Sequence, residues 1–275
     1  MKDALISSAS FAANRARGAV AFDVHLVEGR TRRRQLHESG SLRVRFPSPE
    51  DDGLTAMFVN TAGGAAGGDR FDIDITAGEG TRLTLSTAAA EKIYRSHGPA
   101  AEINISLRAE AGAHLSWLPQ ETILFDQART ERSIDIDLAD SASLVLCEIV
   151  VFGRTAMGEA MRSGSFIDRW RLRRGGRLVF AENVRLDGDI GTKLAAPAIA
   201  NGGLAIATAL IVPGDETLLE RLRETAEQAG CEVGVSLWNG FAMARICAQD
   251  AAKLRADMMA LLLQSRAMLP RMWLN

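Results

Sequence analysis

Apolar and polar residues alternate strictly in four stretches of the chain: FDIDI (71–75), INISL (103–107), IDIDL (134–138) and RWRLR (169–173). A period of two turns every second side chain to the same side, so each stretch predicts a strand with one buried face. A second strand is predicted after each, across a short link that usually holds glycine: RLTLST from Arg82, HLSWLP from His114, SLVLCE from Ser143 and RLVFAE from Arg177. Their leading leucines, Leu83, Leu115, Leu144 and Leu178, are spaced by 32, 29 and 34 residues. A two-strand unit recurring near that period predicts stacked, solenoid-like β-layers wound as a helical stack. A two-sheet sandwich is the alternative.

The pattern changes over the last quarter. GLAIATALIV (203–212) reads as a strand, Asp215 as the cap of a helix reaching about Ala229, with Leu218, Leu222 and Ala226 on one face and Gly230 as its stop. Residues 231–238 and 241–247 predict a hairpin about Asn239-Gly240. A final helix is expected from near Asp250, carrying Leu254, Met258, Leu261, Leu262 and Met268 and ending before Pro270. The expected fold is therefore mainly β. Residues 1–200 form the stack, and 201–275 form a β-α-β-β-α portion with two helices packed on it as one continuous unit.

Composition narrows the function classes. The chain has 275 residues, 47% hydrophobic, with 32 Lys+Arg against 34 Asp+Glu. A net charge of −2 argues against a nucleic-acid or membrane-surface binder. The basic run RTRRR (30–34) reads as a solvated β-edge. His25, His37, His97 and His114 are scattered, and Cys147, Cys231 and Cys247 form no CxxC pair, so no standard zinc site is expected. Three cysteines, a poor leader in MKDALISSASF and no run of about 18 apolar residues point to a cytoplasmic setting without a membrane span.

Two kinds of feature are candidates for chemistry. The glycine cluster NTAGGAAGGD (60–69) leads into a strand and lacks both the GK[ST] ending and GxGxxG, so it reads as backbone geometry that positions Asn60, Thr61 and Asp69, not as a phosphate loop. Four residues on from the repeat leucines stand Thr87, Pro119, Glu148 and Glu182, with Glu121 two residues past Pro119. Glu148 lies in LVLCEIVVF, where an unpaired carboxylate would be costly. If the units stack, Thr87, Glu121, Glu148 and Glu182 line one polar seam. Alternatively, each acid pairs with a local base such as Lys92, Arg95, Arg154 or Arg185. TAAAEKIYRSHG (87–98), with Glu91, Lys92, Tyr94 and Arg95, and FGRTAMGE (152–159), with Arg154 and Glu159, read as candidate binding loops. No nucleophile elbow or Ser/His/Asp arrangement has supporting context.

NTAGGAAGGD, EKIYRS, LSWLPQETILF (115–125), GRTAMGE and the terminal LPRMWLN (269–275) together resemble the urease accessory protein UreD (UreH) family, in order and over nearly the whole chain. The resemblance implies a helical stack of β-strands with two helices. It implies a non-enzymatic chaperone that binds urease apoprotein, UreF and the GTPase UreG for GTP-dependent nickel insertion. It also implies an internal tunnel, with Asp69, Glu148 and Glu182 at positions of tunnel-associated acids. Oxygen ligands scattered along such a path would hold transient Ni2+ weakly enough to release it, whereas imidazoles or thiolates would retain it. No tightly bound cofactor is expected. The competing readings are a purely structural scaffold and a hydrolase that uses Glu148 and Glu182 as an acid/base pair, which would need a pocket open to substrate.

Overall fold

A computed structural model describes residues 15–48, 51–265 and 268–274. The N-terminal segment weighed as a leader lies outside the described residues, as do positions 266–267 of the expected final helix.

The alternating stretches build two facing sheets. In the first, β1 (Arg17–Val27), β5 (Arg70–Ala77), β8 (Ala101–Ala109), β11 (Arg129–Leu138) and β13 (Ser163–Arg174) run parallel. Antiparallel partners close both edges, β2 (Arg30–Gly40) beside β1 and β14 (Arg177–Asp189) beside β13. The basic run 30–34 thus lies on an edge strand, as its charge predicts. The second sheet has a parallel centre of β4 (Leu54–Asn60), β6 (Arg82–Thr87), β9 (His114–Trp117) and β12 (Ser143–Phe152), flanked by β3 (Leu42–Arg45) on one side. On the other side β15 (Ala205–Val212), β17 (Phe241–Ala248) and β16 (Glu232–Trp238) continue it antiparallel. A short third ladder joins β7 (Glu91–Ile93), β10 (Thr122–Leu124) and the end of β12.

The sequence repeat is the coil of this stack. Leu83 pairs with Leu115 and Leu115 with Leu144, so the spacings of 32 and 29 residues are steps from one coil to the next. All three leucines are buried between the sheets, facing Ile73, Ile75, Ile105, Leu107, Ile134 and Ile136. Burial of these inward aliphatic side chains stabilises the stack by about 25 cal/mol per Å2 of apolar surface.

The fourth unit departs from the expectation. Gly175 and Gly176 both take positive φ (54° and 76°) between Arg174 and Arg177. This two-residue turn folds β14 back beside β13 in the first sheet, where a link of the earlier kind would cross to the second. Leu178, expected inside, is 54% exposed, and the ladder shifts register between Leu172 and Arg173.

β12 is buried on both faces, which explains its continuous apolar run. Leu144, Leu146, Val150 and Phe152 face the stack, while Val145, Cys147, Ile149 and Val151 face the helices. Those helices are α2 (Glu216–Glu227) and α3 (Ala251–Leu263), capped as predicted by Asp215 and Asp250; α3 ends at Leu263, so Met268, expected on it, lies outside the helix and is exposed. Their buried Leu218, Leu222, Leu254, Met258 and Leu261 cover the outer face of the second sheet, together with Trp273. The hairpin turns at Asn239 (φ 49°) and Gly240 (φ 76°). A further helix, α1 (Ile190–Ala195), capped by Asp189, stands where only strands were expected.

Candidate functional site: a charged cluster between the sheets

Inward faces bring Glu148 of β12 against Arg132 of β11 and Asp168 of β13. Arg132 donates from Nε to Asp168 Oδ1 (2.9 Å), from Nη2 to Asp168 Oδ2 (2.6 Å) and from Nη1 to Glu148 Oε2. Two indoles complete the cluster: Trp117 Nε1 donates to Glu148 Oε1 (2.7 Å) and Trp170 Nε1 to Asp168 Oδ2 (3.0 Å). Every carboxylate oxygen has a donor, which is the condition for burying such groups. All three charged residues are at most 5% exposed. Burial raises the Glu148 carboxyl above its usual range, opposed by Arg132 and Trp117. Burial alone would lower the Arg132 guanidinium, but Asp168 and Glu148 outweigh it and raise it.

Arg132 and Glu148 line two interior cavities. One, of about 80 Å3, is also lined by Asn60, Thr87, Glu91, Pro119 and Gln120. The other, of about 20 Å3, is also lined by Asp168, Glu182 and Thr208. The larger has room for several waters and the smaller for about one. In the larger cavity Asn60 Nδ2 donates to Glu91 Oε1 (3.1 Å) and to the Gly64 carbonyl (3.0 Å). Burial pushes the Glu91 carboxyl up to about 7; the Asn60 hydrogen bond opposes this and the nearby Asp69 charge adds to it. Thr87 Oγ1 donates to the Ala89 carbonyl and accepts from the Gln120 N–H.

Of the four residues expected along one seam, three line these cavities: Thr87 the larger, Glu182 the smaller and Glu148 both. Glu121 faces away, bound to Arg255 of α3 at 2.7 Å, because the alternation shifts phase between β9 and β10: Trp117 and Leu124 face the stack, and Ile123 the helices. Asp69 is buried but committed: Oδ1 accepts from the Ala16 N–H and Oδ2 from the Ala66 N–H, closing the glycine loop. Thr61 donates to the Ser41 carbonyl at the surface. Nor do the acids use the local bases proposed for them. Glu182 pairs with Arg245 of β17 at 2.6 Å, and Glu148 with Arg132 of the facing strand in its own two-strand unit.

The two candidate loops meet. The Tyr94 ring stands edge-on to Phe125 at 5.1 Å, and the Arg154 guanidinium lies over the same ring at 4.3 Å. Arg154 also holds Glu159, whose carboxyl accepts the Asp126 N–H and is thereby kept below its usual range. The Tyr94 hydroxyl donates to the Gly63 carbonyl. Lys92 and Arg95 are exposed beside this cluster. The pieces the sequence left separate (glycine loop, 91–95 and 153–159) thus form one rim of the stack.

Sequence reasoning missed Arg132 and Asp168 as site residues. The signal was present for both: extending the phase of IDIDL back from Ile134 puts Arg132 inside, and extending RWRLR back from Trp170 puts Asp168 inside. No group of three or more His, Cys, Asp or Glu side chains is arranged to hold a metal ion among the described residues. Cys147 and Cys231 are held as thiols by burial, Cys231 up to about 12 with Asp257 beside it.

The fold is thus a coiled two-sheet scaffold with a charged cluster buried between its sheets. Comparison with known proteins shows the family in which this scaffold belongs. The family described as UreD urease accessory protein matches residues 15–274. A urease accessory protein UreD of Rhodopseudomonas palustris strain BisA53 is 73% identical over 271 residues, covering 98% of this chain and 95% of that protein. The protein of that name from Bradyrhizobium diazoefficiens is 71% identical over 270 residues, covering 98% of each. The chain belongs to the UreD urease accessory protein family.

Proposed function

We propose that this chain is a urease maturation chaperone of the cytoplasm. It binds urease apoprotein together with UreF and UreG, and lets Ni2+ pass through its interior during GTP-dependent insertion. Family membership over nearly the full chain carries the maturation role. The interior supports the transfer reading: two cavities, walled largely by apolar side chains, meet at one charged cluster between the sheets. Carboxylates and amides are hard oxygen donors that bind a borderline ion weakly, and the thiols are held protonated, so an ion that enters is released again. In this reading the chain supplies a path and docking faces and performs no bond-breaking chemistry. The rim built from Tyr94, Phe125, Arg154 and Glu159 presents exposed Met157 and is the proposed partner-facing end.

Co-purification tests the assembly. Tagged full-length chain, expressed with urease apoprotein, UreF and UreG, is expected to retain all three. Retention of none of them would overturn the chaperone reading.

A further inference from the structure

Arg132 and Glu148 line both interior cavities and so stand between them. A guanidinium cannot lose its proton at any working pH, so this barrier opens by movement and not by titration. We propose that Glu148 and Asp168 form a closed divalent-cation site in which the Arg132 guanidinium occupies the place of the ion, and that withdrawal of Arg132 admits a first-row transition cation. The proposal rests on the transfer reading and adds to it a specific site and a gate.

Three observations carry it. The first is charge. Two carboxylates and one guanidinium leave a buried net charge of −1, whereas a divalent cation between the same carboxylates leaves none, which favours the ion over the side chain in a water-poor interior. The second is support around the acids. Each carboxylate is also held by an indole N–H, Glu148 by Trp117 and Asp168 by Trp170, so both stay oriented when Arg132 leaves. The third is Gln120. It is 8% exposed, it lines the larger cavity with Arg132 and Glu148, and its Nε2 has no partner. A buried amide without a protein partner marks a place for a polar occupant, and rotation of the amide presents oxygen to a cation or its water.

The cation-binding test uses Co2+ with the purified full-length chain, read by visible absorption and equilibrium dialysis. Arg132→Met removes the charge while keeping an unbranched side chain. It is expected to bind one Co2+ per chain about tenfold more tightly than the natural protein, and Asp168→Asn in the same background is expected to abolish the gain. A folded Arg132→Met variant with no gain, or a gain that survives Asp168→Asn, overturns the proposal. Arg132→Lys keeps the charge but not the two-sided fork, and covers the case in which the methionine variant fails to fold: a smaller gain supports the site, and unchanged affinity in the folded lysine variant overturns it. If Arg132→Met gains Co2+ while urease activation is unaltered, the site stands and the transfer reading falls.

Discussion

Glu91→Gln isolates the energetic cost of one interior carboxyl. Glu91 lies on β7 at the larger cavity, and its carboxyl is pushed up to about 7 from an ordinary 4.5, chiefly by burial. The native chain therefore holds this proton more tightly than the unfolded chain does. Below about pH 4.5 both states are protonated and the group has no effect on stability. As the pH rises from there through 7, the unfolded chain ionises first and stability falls; above 7 the loss is complete. A shift of this size corresponds to about 3 kcal/mol. Glutamine has the same shape, still accepts from Asn60 and carries no charge. The variant is expected to match the natural protein near pH 4.5 and to exceed its stability by up to about 3 kcal/mol at pH 8. Urea unfolding of both proteins at several pH values between these limits measures the difference. A difference that does not change with pH, or a natural protein that is the more stable at pH 8, would refute the reasoning.

Two further substitutions probe the loop that closes this end of the stack. Gly64 has φ 148°, and a Cβ there would stand 2.5 Å from the Tyr94 ring and 2.7 Å from the Lys92 carbonyl. Gly64→Ala is expected to cost about 1–3 kcal/mol, seen as a lowered Tm, with tyrosine fluorescence reporting displacement of Tyr94. Asp69→Asn puts an amide donor against one of the two N–H groups its carboxylate now accepts, and is expected to destabilise by about 1–3 kcal/mol in the same assay; an unchanged midpoint would show that the loop closes without it.

How far the fold is legible follows from particular residues. The leucine repeat could be read because Leu83, Leu115 and Leu144 are true ladder partners, so spacing in sequence equals stacking in space. It fails at Leu178 because Gly175-Gly176 replaces a crossing link with a tight turn, and a leucine count takes no account of turn geometry. α1 escaped notice because its helical stretch is short and follows a long strand without an apolar stripe. The site was half legible. Period two placed Glu148 inside but could not show what it faces, since Arg132 comes from the facing sheet and a search of nearby bases passes over it. Glu121 shows the converse: apolar neighbours suggest the interior, but a phase shift between β9 and β10 turns the side chain toward Arg255. Glu91 stands among the loop candidates, but neither its burial nor its partner Asn60 is written in the local pattern.

The transfer of nickel through the interior is tested most directly in cells that make urease with its accessory proteins and the chain carrying both Glu148→Gln and Glu182→Gln. Glutamine at 148 still accepts from Trp117, so the stack is kept while both carboxylates facing the smaller cavity lose their charge. With the accessory complex confirmed intact by co-purification, the account predicts urease with lowered nickel content and correspondingly lowered activity. Wild-type nickel content and activity from that assembled complex would contradict it.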